Sequence, residues 1–278
     1  GVAIVGVGLI GGSIAAALKA RGYTGKILGF GRNPQRLEQA RGAGLLDEFS
    51  VEIEPLIEQA SLVVICTPVD RIVEDVRRFA AEAQPGTLIT DAGSVKGEIC
   101  SVLHDFAAGE VVFVGSHPMA GSEKNGFEYA RADLFEGRVC IVTPDAGHDD
   151  SATNRTADFW KFLGMRVERL SPKLHDSAVA YSSHLPHLVA AALAYSLPDL
   201  HRRFVGTGIR DATRIAAGDP QLWDGILKMN SSEVKIALGH FSQVLHEFEQ
   251  GLDEEGAPSL KNLLEQAKKN RDALDTNS

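Results

Sequence analysis

Cysteine is scarce in this sequence, which has only three, Cys66, Cys100 and Cys140, in 278 residues. An odd number in apolar segments is not the pattern of a disulfide framework, and it indicates a reducing compartment. The spacings between the three cysteines do not match those of a metal site. Apolar runs long enough to span a membrane are absent, and the first residues lack the basic start of a signal peptide. We therefore expect a cytoplasmic protein without a metal ion, a disulfide or a membrane anchor.

Basic residues are outnumbered as well, with 28 Lys and Arg against 37 Asp and Glu and a formal net charge of −9. Such an excess of carboxylates repels the phosphates of nucleic acid, so a polynucleotide partner is not expected. A small anionic ligand remains compatible with this charge, because a few local arginine and histidine side chains can form a positive pocket.

Strand and helix signals alternate over the first part of the chain. Apolar, β-branched runs expected as strands occur at 2–5, 26–30, 62–66, 88–90, 111–114, 139–142 and 167–170. Between them lie segments with helical character, one of which begins at Asn33-Pro34 with a capping residue followed by proline. This alternation predicts an α/β fold in which helices cover both faces of a parallel sheet.

The stretch from Gly6 to Gly11, GVGLIG, fits the G-x-G-x-x-G pattern and lies between a predicted strand and a predicted helix. Gly6 allows a tight turn, Gly8 lets a pyrophosphate approach the backbone, and Gly11 lets the helix pack close to the strand. With Leu9 and Ile10, these residues open a helix whose free N–H groups face the phosphates. The pattern in this context predicts a dinucleotide site, and the alternative is a glycine-rich turn without a ligand.

After residue 170 the strand signals stop and the chain is helical in period. The helical segments are 174–197, 222–229, 234–250 and 260–273. The segment 179–197 is too apolar to stand alone, so we expect a helical bundle shared between the subunits of a homodimer. Pro186 should bend the long helix because it lacks a backbone N–H donor. We predict a Rossmann-type dinucleotide-binding domain at 1–170 and an all-helical substrate and dimerisation domain at 171–278.

The second predicted strand ends near Gly31 and Arg32, where recognition of the adenosine ribose is expected. Gly31 occupies the position at which an acid would bind the ribose 2′-hydroxyl and repel a 2′-phosphate. Arg32 can instead hold that phosphate with a forked, charge-assisted contact. We therefore expect NADP as the cofactor, with NAD as the alternative if Arg32 is only a solvated charge. Thr67 and Pro68, at the end of the third strand, are predicted to line the same site.

Four further stretches combine polar residues with glycine or proline at the ends of predicted elements. They are DAGSVKG at 91–97, SHPMAGSEKNG at 116–126, SHLPHL at 183–188 and TRIAAGDPQLW at 213–223. Together they resemble the prephenate/arogenate dehydrogenase family, and the resemblance extends from the glycine motif to about Met229. It implies oxidative decarboxylation of prephenate or arogenate on the route to tyrosine, carried out by a Rossmann domain and a helical dimerisation domain.

The resemblance implies that His117 binds the substrate hydroxyl and accepts its proton, while a hydride leaves the same ring carbon and carbon dioxide is lost. Histidine suits this step because its ordinary pKa lies near neutrality. Ser94 matches a hydrogen-bond partner of the hydroxyl or of His117. The alternatives are that His117 caps a turn and that Ser94 caps the helix that follows it.

The implied substrate is a dianion, and the resemblance assigns a carboxylate to Arg214, whose guanidinium can form two parallel bonds. Asp211, three residues earlier, is expected to orient Arg214, and the alternative is a simple surface ion pair. His187 matches a substrate-binding residue, and His184 is its neighbour on the same helix face. The alternatives for these histidines are core packing, or metal ligands that lack a third partner.

Glu123 matches the entrance of the active site, where it is expected to pair with Arg210, and the alternative is an exposed ion pair. Trp223 is expected either to line the substrate pocket or to belong to the core. Arogenate carries an ammonium group that a selective site should meet with a carboxylate, whereas Asn125 is neutral and favours prephenate. Glu123 nearby argues the other way, so arogenate dehydrogenase or a dual-specificity cyclohexadienyl dehydrogenase is the alternative.

Two other functions are compatible with a Rossmann domain followed by helices. A β-hydroxyacid dehydrogenase would use a lysine base on the helix after the domain junction, where this chain has a pair of histidines and where Lys173 comes too early. A non-catalytic NADP-binding sensor would keep the glycine turn but would not need His117, Ser94 and Arg214 together.

Overall fold

The computed structural model describes residues 1–54, 56–104, 110–121, 124–144, 150–253 and 258–276. The chain divides into two compact units, Gly1–Ser231 and Ser232–Ser278. The first unit contains the sheet and every described residue of the candidate site. The boundary expected at residue 170 lies inside this unit and stays a prediction.

Within the described residues, eight strands form one sheet. They are β1 (Val2–Val5), β2 (Ile27–Phe30), β3 (Glu48–Ser50), β4 (Leu62–Ile65), β5 (Leu88–Asp91), β6 (Val112–Pro118), β7 (Val139–Thr143) and β8 (Arg166–Arg169). Their order across the sheet is β3-β2-β1-β4-β5-β6-β7-β8. From β3 to β6 the neighbours pair in parallel, and the central strands are buried along their whole length, as in sheets with helices on both faces. The predicted α/β architecture is confirmed.

The direction of β7 departs from the all-parallel sheet that the sequence predicts. It pairs antiparallel with β6, with His117 opposite Ile141, and β8 then pairs parallel with β7. Between β6 and β7 the described residues form only a short 3-10 turn, Phe127–Tyr129, and no crossover helix. Parallel neighbours need such a crossover, whereas antiparallel neighbours do not. A helix does connect β7 to β8, and this pair is parallel.

Apolar side chains fill a core on each face of the sheet, because successive strand residues point to opposite sides. In β1, Ile4 joins the core on one face, while Ala3 and Val5 join the core on the other. Trp160 is fully buried in the first core, and Ile226, from the helical part of the chain, packs in the second. The helical part of the chain is therefore anchored on the sheet through the segment around Ile226.

In the described residues, eleven α-helices accompany the sheet. They are α1 (Leu9–Ala20), α2 (Pro34–Gly42), α3 (Ile72–Glu82), α4 (Gly97–Val102), α5 (Asp150–Phe162), α6 (Pro172–Val179), α7 (Leu185–Ser196), α8 (Thr207–Thr213), α9 (Pro220–Met229), α10 (Ser231–Gln250) and α11 (Leu260–Thr276). Asn33 caps α2 by accepting the backbone N–H of Arg36 at 3.1 Å, which confirms the helix start predicted at Asn33-Pro34. Ser171 caps α6 in the same way.

The long helix predicted at 174–197 is interrupted in its middle. α6 passes into a π-helical turn at Ala180–His184, and α7 follows directly. Pro186, in the first turn of α7, lacks an N–H donor and its ring would clash with a carbonyl one turn earlier, so the backbone widens before it. The helix is thus interrupted by a wide turn just before Pro186, and the bend predicted there stays a prediction. Single π turns occur frequently at functional sites, and His184 is the last residue of this one.

The second unit consists of α10 and α11 in its described residues. Large apolar side chains are exposed on both helices, among them Ile236, Leu245 and Leu264. Exposed apolar residues spread over two helices indicate a surface that packs against a partner. None of the described helices is both long enough and apolar enough to span a membrane.

The packing of α1 on β1 predicts that Gly11 tolerates no side chain. A Cβ atom there would lie 2.3 Å from the carbonyl oxygen of Gly6 and 2.9 Å from Cγ2 of Ile4. In urea denaturation, Gly11→Ala should lower the free energy of unfolding by about 1–3 kcal/mol, the usual cost of overpacking. Gly42→Ala is the matched control, since a Cβ there meets nothing within 4 Å, and it should raise stability by at most about 1 kcal/mol. Equal effects of the two substitutions would contradict this packing.

Candidate active site

The turn between β1 and α1 has the backbone geometry that the glycine motif predicts. Gly6 has a φ of +91°, which residues with a side chain rarely adopt. Gly11 lies directly against the backbone of Gly6, whereas a Cβ at Gly8 would meet no atom within 4 Å. The space at Gly8 therefore admits a pyrophosphate at the start of α1, where Leu9 and Ile10 are the first helical residues.

A cavity of about 340 Å³ opens beside this turn. It is lined by Gly8 and by four predicted cofactor residues that follow the two strands flanking β1, namely Gly31 and Arg32 after β2 and Thr67 and Pro68 after β4. The volume lies within the range of small-molecule sites. The open glycine turn and the cavity together fit part of a dinucleotide.

Arginines dominate the charge around this cavity. Besides Arg32, the lining includes Arg36, Arg71 and Arg78. Arg32 is exposed and forms no ion pair among the described residues. Asp75 also lines the cavity, but it is buried, and its carboxylate accepts the Thr67 hydroxyl at 2.7 Å. This acid is therefore engaged within the protein, while Arg32 remains available to an anion.

His117 lies inside a strand, three residues beyond the end of the strand predicted at 111–114. It is the penultimate residue of β6, which continues past its pairing with β5 and pairs there with β7. The residue is 9% exposed. Its Nδ1 atom contacts another histidine and not a turn of the backbone, so the turn-capping alternative is wrong. Among the described residues its Nε2 atom has no hydrogen-bond partner.

Three side chains form a row from β6 to α6, which we call the histidine row: His117, His175 and Asp176. Nδ1 of His117 lies 2.8 Å from Nε2 of His175. Nδ1 of His175 lies 2.7 Å from a carboxylate oxygen of Asp176. His175 and Asp176 are buried, like His117.

The charges along the histidine row follow from burial and hydrogen bonding. Burial lowers the pKa of His117 well below its ordinary value, and the charges of His175, Lys96 and His184 lower it further. Burial also lowers the pKa of His175. For Asp176, burial acts to raise the pKa, but hydrogen bonds from His175 and from backbone N–H groups outweigh it and lower the pKa. At neutral pH the row is therefore a carboxylate followed by two neutral imidazoles.

Asp176 also holds the loop that follows β5. Its two carboxylate oxygens accept the backbone N–H groups of Lys96 at 2.8 Å and Gly97 at 2.7 Å. The alternative in which Ser94 caps this helix is wrong, because the cap of α4 comes from α6. In the part of the chain that the structure describes, the half-buried Ser94 makes no hydrogen bond to His117. Its role toward a substrate hydroxyl stays a prediction.

A buried ion pair fixes the other side of the same loop. Asp91 and Lys96 are in direct contact, and both are 0% exposed. The Asp91 carboxylate also accepts the backbone N–H groups of Gly93 at 2.9 Å and Ser116 at 3.0 Å. Buried charges need pairing and further hydrogen bonds, and this arrangement supplies both. Because Ser116 precedes His117, the ion pair holds the loop and the end of β6 together.

The predicted residues His184, His187 and Trp223 form an aromatic cluster. His187 stacks on Trp223 with ring centroids 3.6 Å apart, and His184 meets the same indole edge-on at 6.2 Å. Asn230 lies 3.1 Å from Nδ1 of His184 and donates a hydrogen bond to the backbone carbonyl of Asp176 at 2.9 Å. The cluster is thus tied to the histidine row. Trp223 also packs against the sheet core, which agrees with the core alternative, and its expected place in the wall of the pocket stays a prediction.

Two ring nitrogens of this cluster are buried without a partner. Nε2 of His184 and Nδ1 of His187 have no hydrogen-bond partner in the described structure. Burial lowers the pKa of His187, and it lowers the pKa of His184 to about 4. Buried polar atoms are costly when unpaired, so these nitrogens are candidates for contacts with a bound ligand. The described residues contain no group of three side chains that could hold a metal ion.

The cationic residues expected to bind the substrate stand at the surface. Arg210 in α8 and Arg214 in the following 3-10 turn are both exposed. Both elements pack against α7, which carries His187. In the described residues Arg214 forms no ion pair with Asp211. Arg214 directly follows the end of α8 at Thr213 and opens a 3-10 turn, and the expected orientation of Arg214 by Asp211 stays a prediction.

The loop after β6 carries the remaining predicted residues. Asn125 is exposed, and the ammonium group of Lys124 lies 5.0 Å from the centre of the Tyr129 ring. Glu123 lies outside the described residues, so its pairing with Arg210 stays a prediction.

Four central residues were not singled out by the sequence analysis: Asp91, Lys96, His175 and Asp176. The first two lie in the DAGSVKG stretch. An acid directly after a predicted strand and a lysine just before a helix could have marked both as candidate site residues. The other two lie in the first turns after the Ser171 cap. The contact of Asp176 with Gly97 joins residues 79 positions apart, and no local pattern marks it.

Comparison with known proteins identifies the family. The family model for the nucleotide-binding domain of prephenate dehydrogenase matches residues 14–169, and the model for its dimerization domain matches residues 171–266. The cyclohexadienyl dehydrogenase of Zymomonas mobilis is 32% identical over 99% of this chain and 96% of its own length. The chain belongs to the prephenate dehydrogenase family.

Solved structures of similar proteins have the same fold. Prephenate dehydrogenase from A. aeolicus, in complex with hydroxyphenyl propionate and NAD+, matches with a TM-score of 0.91 and 34% identity, over 98% of this chain and 97% of that one. The arogenate dehydrogenase of Synechocystis matches with a TM-score of 0.82 and 29% identity, over 98% of this chain and 99% of that one. The family inferred from the motifs and the expected two-part fold are confirmed. Family membership decides against a β-hydroxyacid dehydrogenase.

Proposed function

We propose that this protein is a prephenate dehydrogenase, which converts prephenate to 4-hydroxyphenylpyruvate and carbon dioxide in tyrosine biosynthesis, with NADP as the hydride acceptor. The observation that carries the proposal is His117, a neutral and buried histidine whose Nε2 atom has no partner among the described residues. A neutral imidazole in this position can accept the proton of a substrate hydroxyl. The match to both domains of the family supports the choice of substrate.

The proposed reaction moves one proton through His117. Nε2 of His117 accepts the hydroxyl proton as the ring carbon that bears the hydroxyl is oxidised. Loss of the ring carboxylate as carbon dioxide leaves its electron pair to make the ring aromatic, and His117 returns the proton to the phenolate oxygen. A bound nicotinamide supplies the acceptor for the hydride. The balance is one hydride transferred, one carbon dioxide released and no net change at the histidine.

Substrate binding is assigned to the groups around His117. Nε2 of His184 and Nδ1 of His187, which have no hydrogen-bond partner among the described residues, are polar contacts available to a ligand next to the histidine row. Arg214 is the proposed partner of a carboxylate, because a guanidinium can form two parallel bonds to it and its turn packs on α7. Ser94, in the loop that Asp176 holds, is the proposed second partner of the hydroxyl.

The end of β2 supports NADP as the cofactor. Gly31 presents no carboxylate that would bind a ribose 2′-hydroxyl or repel a 2′-phosphate. Arg32 lines the same cavity, is exposed and forms no ion pair among the described residues. The related protein from A. aeolicus was crystallised with NAD+, so the difference is a property of this chain to be measured.

We also infer that the protein is a homodimer through its helical part. Residues 171–266 match the dimerization domain of the family. The exposed apolar side chains of α10 and α11, such as Leu245 and Leu264, agree with this assignment.

Arogenate is the second candidate substrate, because a relative of nearly equal length is an arogenate dehydrogenase. The test is the appearance of reduced cofactor, followed by absorbance, with prephenate or arogenate in combination with NADP or NAD. We expect turnover with prephenate and NADP. Turnover with arogenate alone would keep the role of His117 and correct the substrate. Binding of the cofactor without turnover in any combination would overturn the proposal in favour of a sensor.

Replacing His117 tests its role as the proton acceptor. His117→Asn should lower kcat by roughly 10²–10⁴-fold, the usual contribution of a positioned acid–base group, while cofactor binding stays unchanged. The exposed His246, paired with Glu249 on α10, gives the control His246→Asn, which should keep full activity. Unchanged turnover of the His117 variant would contradict the proposed chemistry.

Replacing Arg32 tests the choice of cofactor. Hydrogen bonds to charged groups contribute about 1.5–3 kcal/mol, so Arg32→Ser should lower kcat/KM for NADP by roughly 10–100-fold. The value for NAD should change by no more than a few-fold. Arg41→Ser is the control, because Arg41 is paired with Glu38 on the same helix and does not line the cavity. Equal losses with both cofactors would show that Arg32 does not read the 2′-phosphate.

A further inference from the structure

We propose that His175 and Asp176 are positioning residues that fix the tautomer of His117 and stabilise its protonated form, so that Nε2 is the atom that accepts the substrate proton. The inference rests on the proposed function for its kinetic consequences. The proton arrangement itself concerns only the folded protein and is measurable without turnover.

The order of protons along the histidine row follows from its carboxylate end. Asp176 is ionised and can only accept, so Nδ1 of His175, at 2.7 Å, carries a hydrogen and donates it. Burial keeps His175 neutral, and Nε2 of this ring therefore has no hydrogen. Nδ1 of His117, at 2.8 Å, must then be the donor to that atom. A neutral His117 that carries its hydrogen on Nδ1 has a lone pair on Nε2, as a general base requires.

The same row stabilises the charge that appears when His117 takes up a proton. Imidazolium formation strengthens the bond from Nδ1 of His117 to His175, whose own Nδ1–H is held by a carboxylate. A carboxylate behind a histidine base plays this part in the serine hydrolase triad, where it orients the ring and does not itself take the proton. Here a second imidazole lies between the carboxylate and the base.

Other charged and titratable groups face His117 from each element around it. Lys96 and Asp91 lie in the loop after β5, where they form a buried ion pair. His184 lies before α7 and opposes protonation of His117, as do Lys96 and a positive charge on His175. Because burial keeps His175 neutral, it acts on His117 through its hydrogen bond. The buried thiol of Cys140 lies in β7 opposite the end of β6. Of these charged groups, Asp176 is connected to His117 through the two ring nitrogens of His175. Removing the Asp176 carboxylate should therefore change the proton affinity of His117 more than the loss of an unconnected charge would.

A purely structural role for Asp176 is the competing explanation, because its carboxylate also accepts the backbone N–H groups of Lys96 and Gly97. Substitutions of His175 distinguish the structural role of Asp176 from its proposed role in positioning His117. Changing His175 leaves the carboxylate and both backbone bonds in place but interrupts the row. His175→Leu removes the acceptor for Nδ1 of His117, whereas His175→Gln offers a side-chain oxygen near the position of Nε2.

The experiment combines kinetics with nitrogen NMR of protein labelled with ¹⁵N-histidine, with the His117 signals assigned by their loss in His117→Asn. In the wild type, the ring nitrogens of His117 should show a hydrogen on Nδ1 and none on Nε2 at neutral pH. His175→Leu should abolish this single tautomer and lower kcat by roughly 10²–10⁴-fold with a smaller change in KM. His175→Gln should recover the tautomer and most of kcat. Asp176→Asn should move the acid limb of the kcat/KM profile to lower pH, because the carboxylate no longer favours protonation of the row.

The outcomes separate the possibilities. A wild-type His117 with its hydrogen on Nε2 would overturn the proposal, and so would a His175→Leu variant with unchanged tautomer and turnover. If Asp176→Asn lost activity while the His175 variants kept it, Asp176 would serve only to support α4. This outcome would also overturn the proposal. If the wild type turned over neither prephenate nor arogenate, the proposed function would fail while the NMR result still decided the proton order. If His175→Leu did not fold, the tautomer in His175→Gln and Asp176→Asn would decide it.

Discussion

The candidate site depends on the hydrogen bonds that the buried carboxylate of Asp176 accepts. This carboxylate accepts hydrogen bonds from His175 and from the backbone of Lys96 and Gly97, and the carbonyl of the same residue accepts one from Asn230. One buried residue thus connects the loop after β5, the first helix of the helical part and the end of α9. The cost of burying this carboxylate is offset by the hydrogen bonds it receives, which also keep it ionised.

The antiparallel pairing of β7 with β6 positions His117. β6 continues beyond β5 and is held there by an antiparallel partner, so His117 is positioned by a strand ladder and not by a mobile loop. The neighbouring Ser116 is tied to the buried Asp91–Lys96 pair by its backbone N–H, and the His117 ring meets His175 of α6. A rigid backbone and a row of hydrogen-bonded side chains leave the ring little freedom, which favours a defined direction for proton transfer.

The sequence predicts those features that rest on short-range patterns. The glycine turn, the cap at Asn33 and the interruption near Pro186 each follow from local backbone chemistry, and the family follows from four short motifs. The alternation of elements does not predict the direction of β7, because that direction depends on a connection whose described residues form no crossover helix. His175 and Asp176 were missed for a related reason, since their partners lie far away in sequence. The expected pairing of Asp211 with Arg214 rested on their spacing alone, and spacing does not fix the direction of two exposed side chains.

The central claim is that His117 acts as a neutral base whose pKa is depressed by burial. The most direct test is the pH dependence of kcat/KM of the wild-type protein with prephenate and NADP. Because the pKa of His117 is lowered, its neutral form should persist on acidification past the ordinary histidine value of about 6.5. We predict a plateau through neutral pH and a loss of activity only below that value, as His117 gains a proton. A decline that is already half complete above pH of about 6.5, or activity that rises on acidification, would contradict the account.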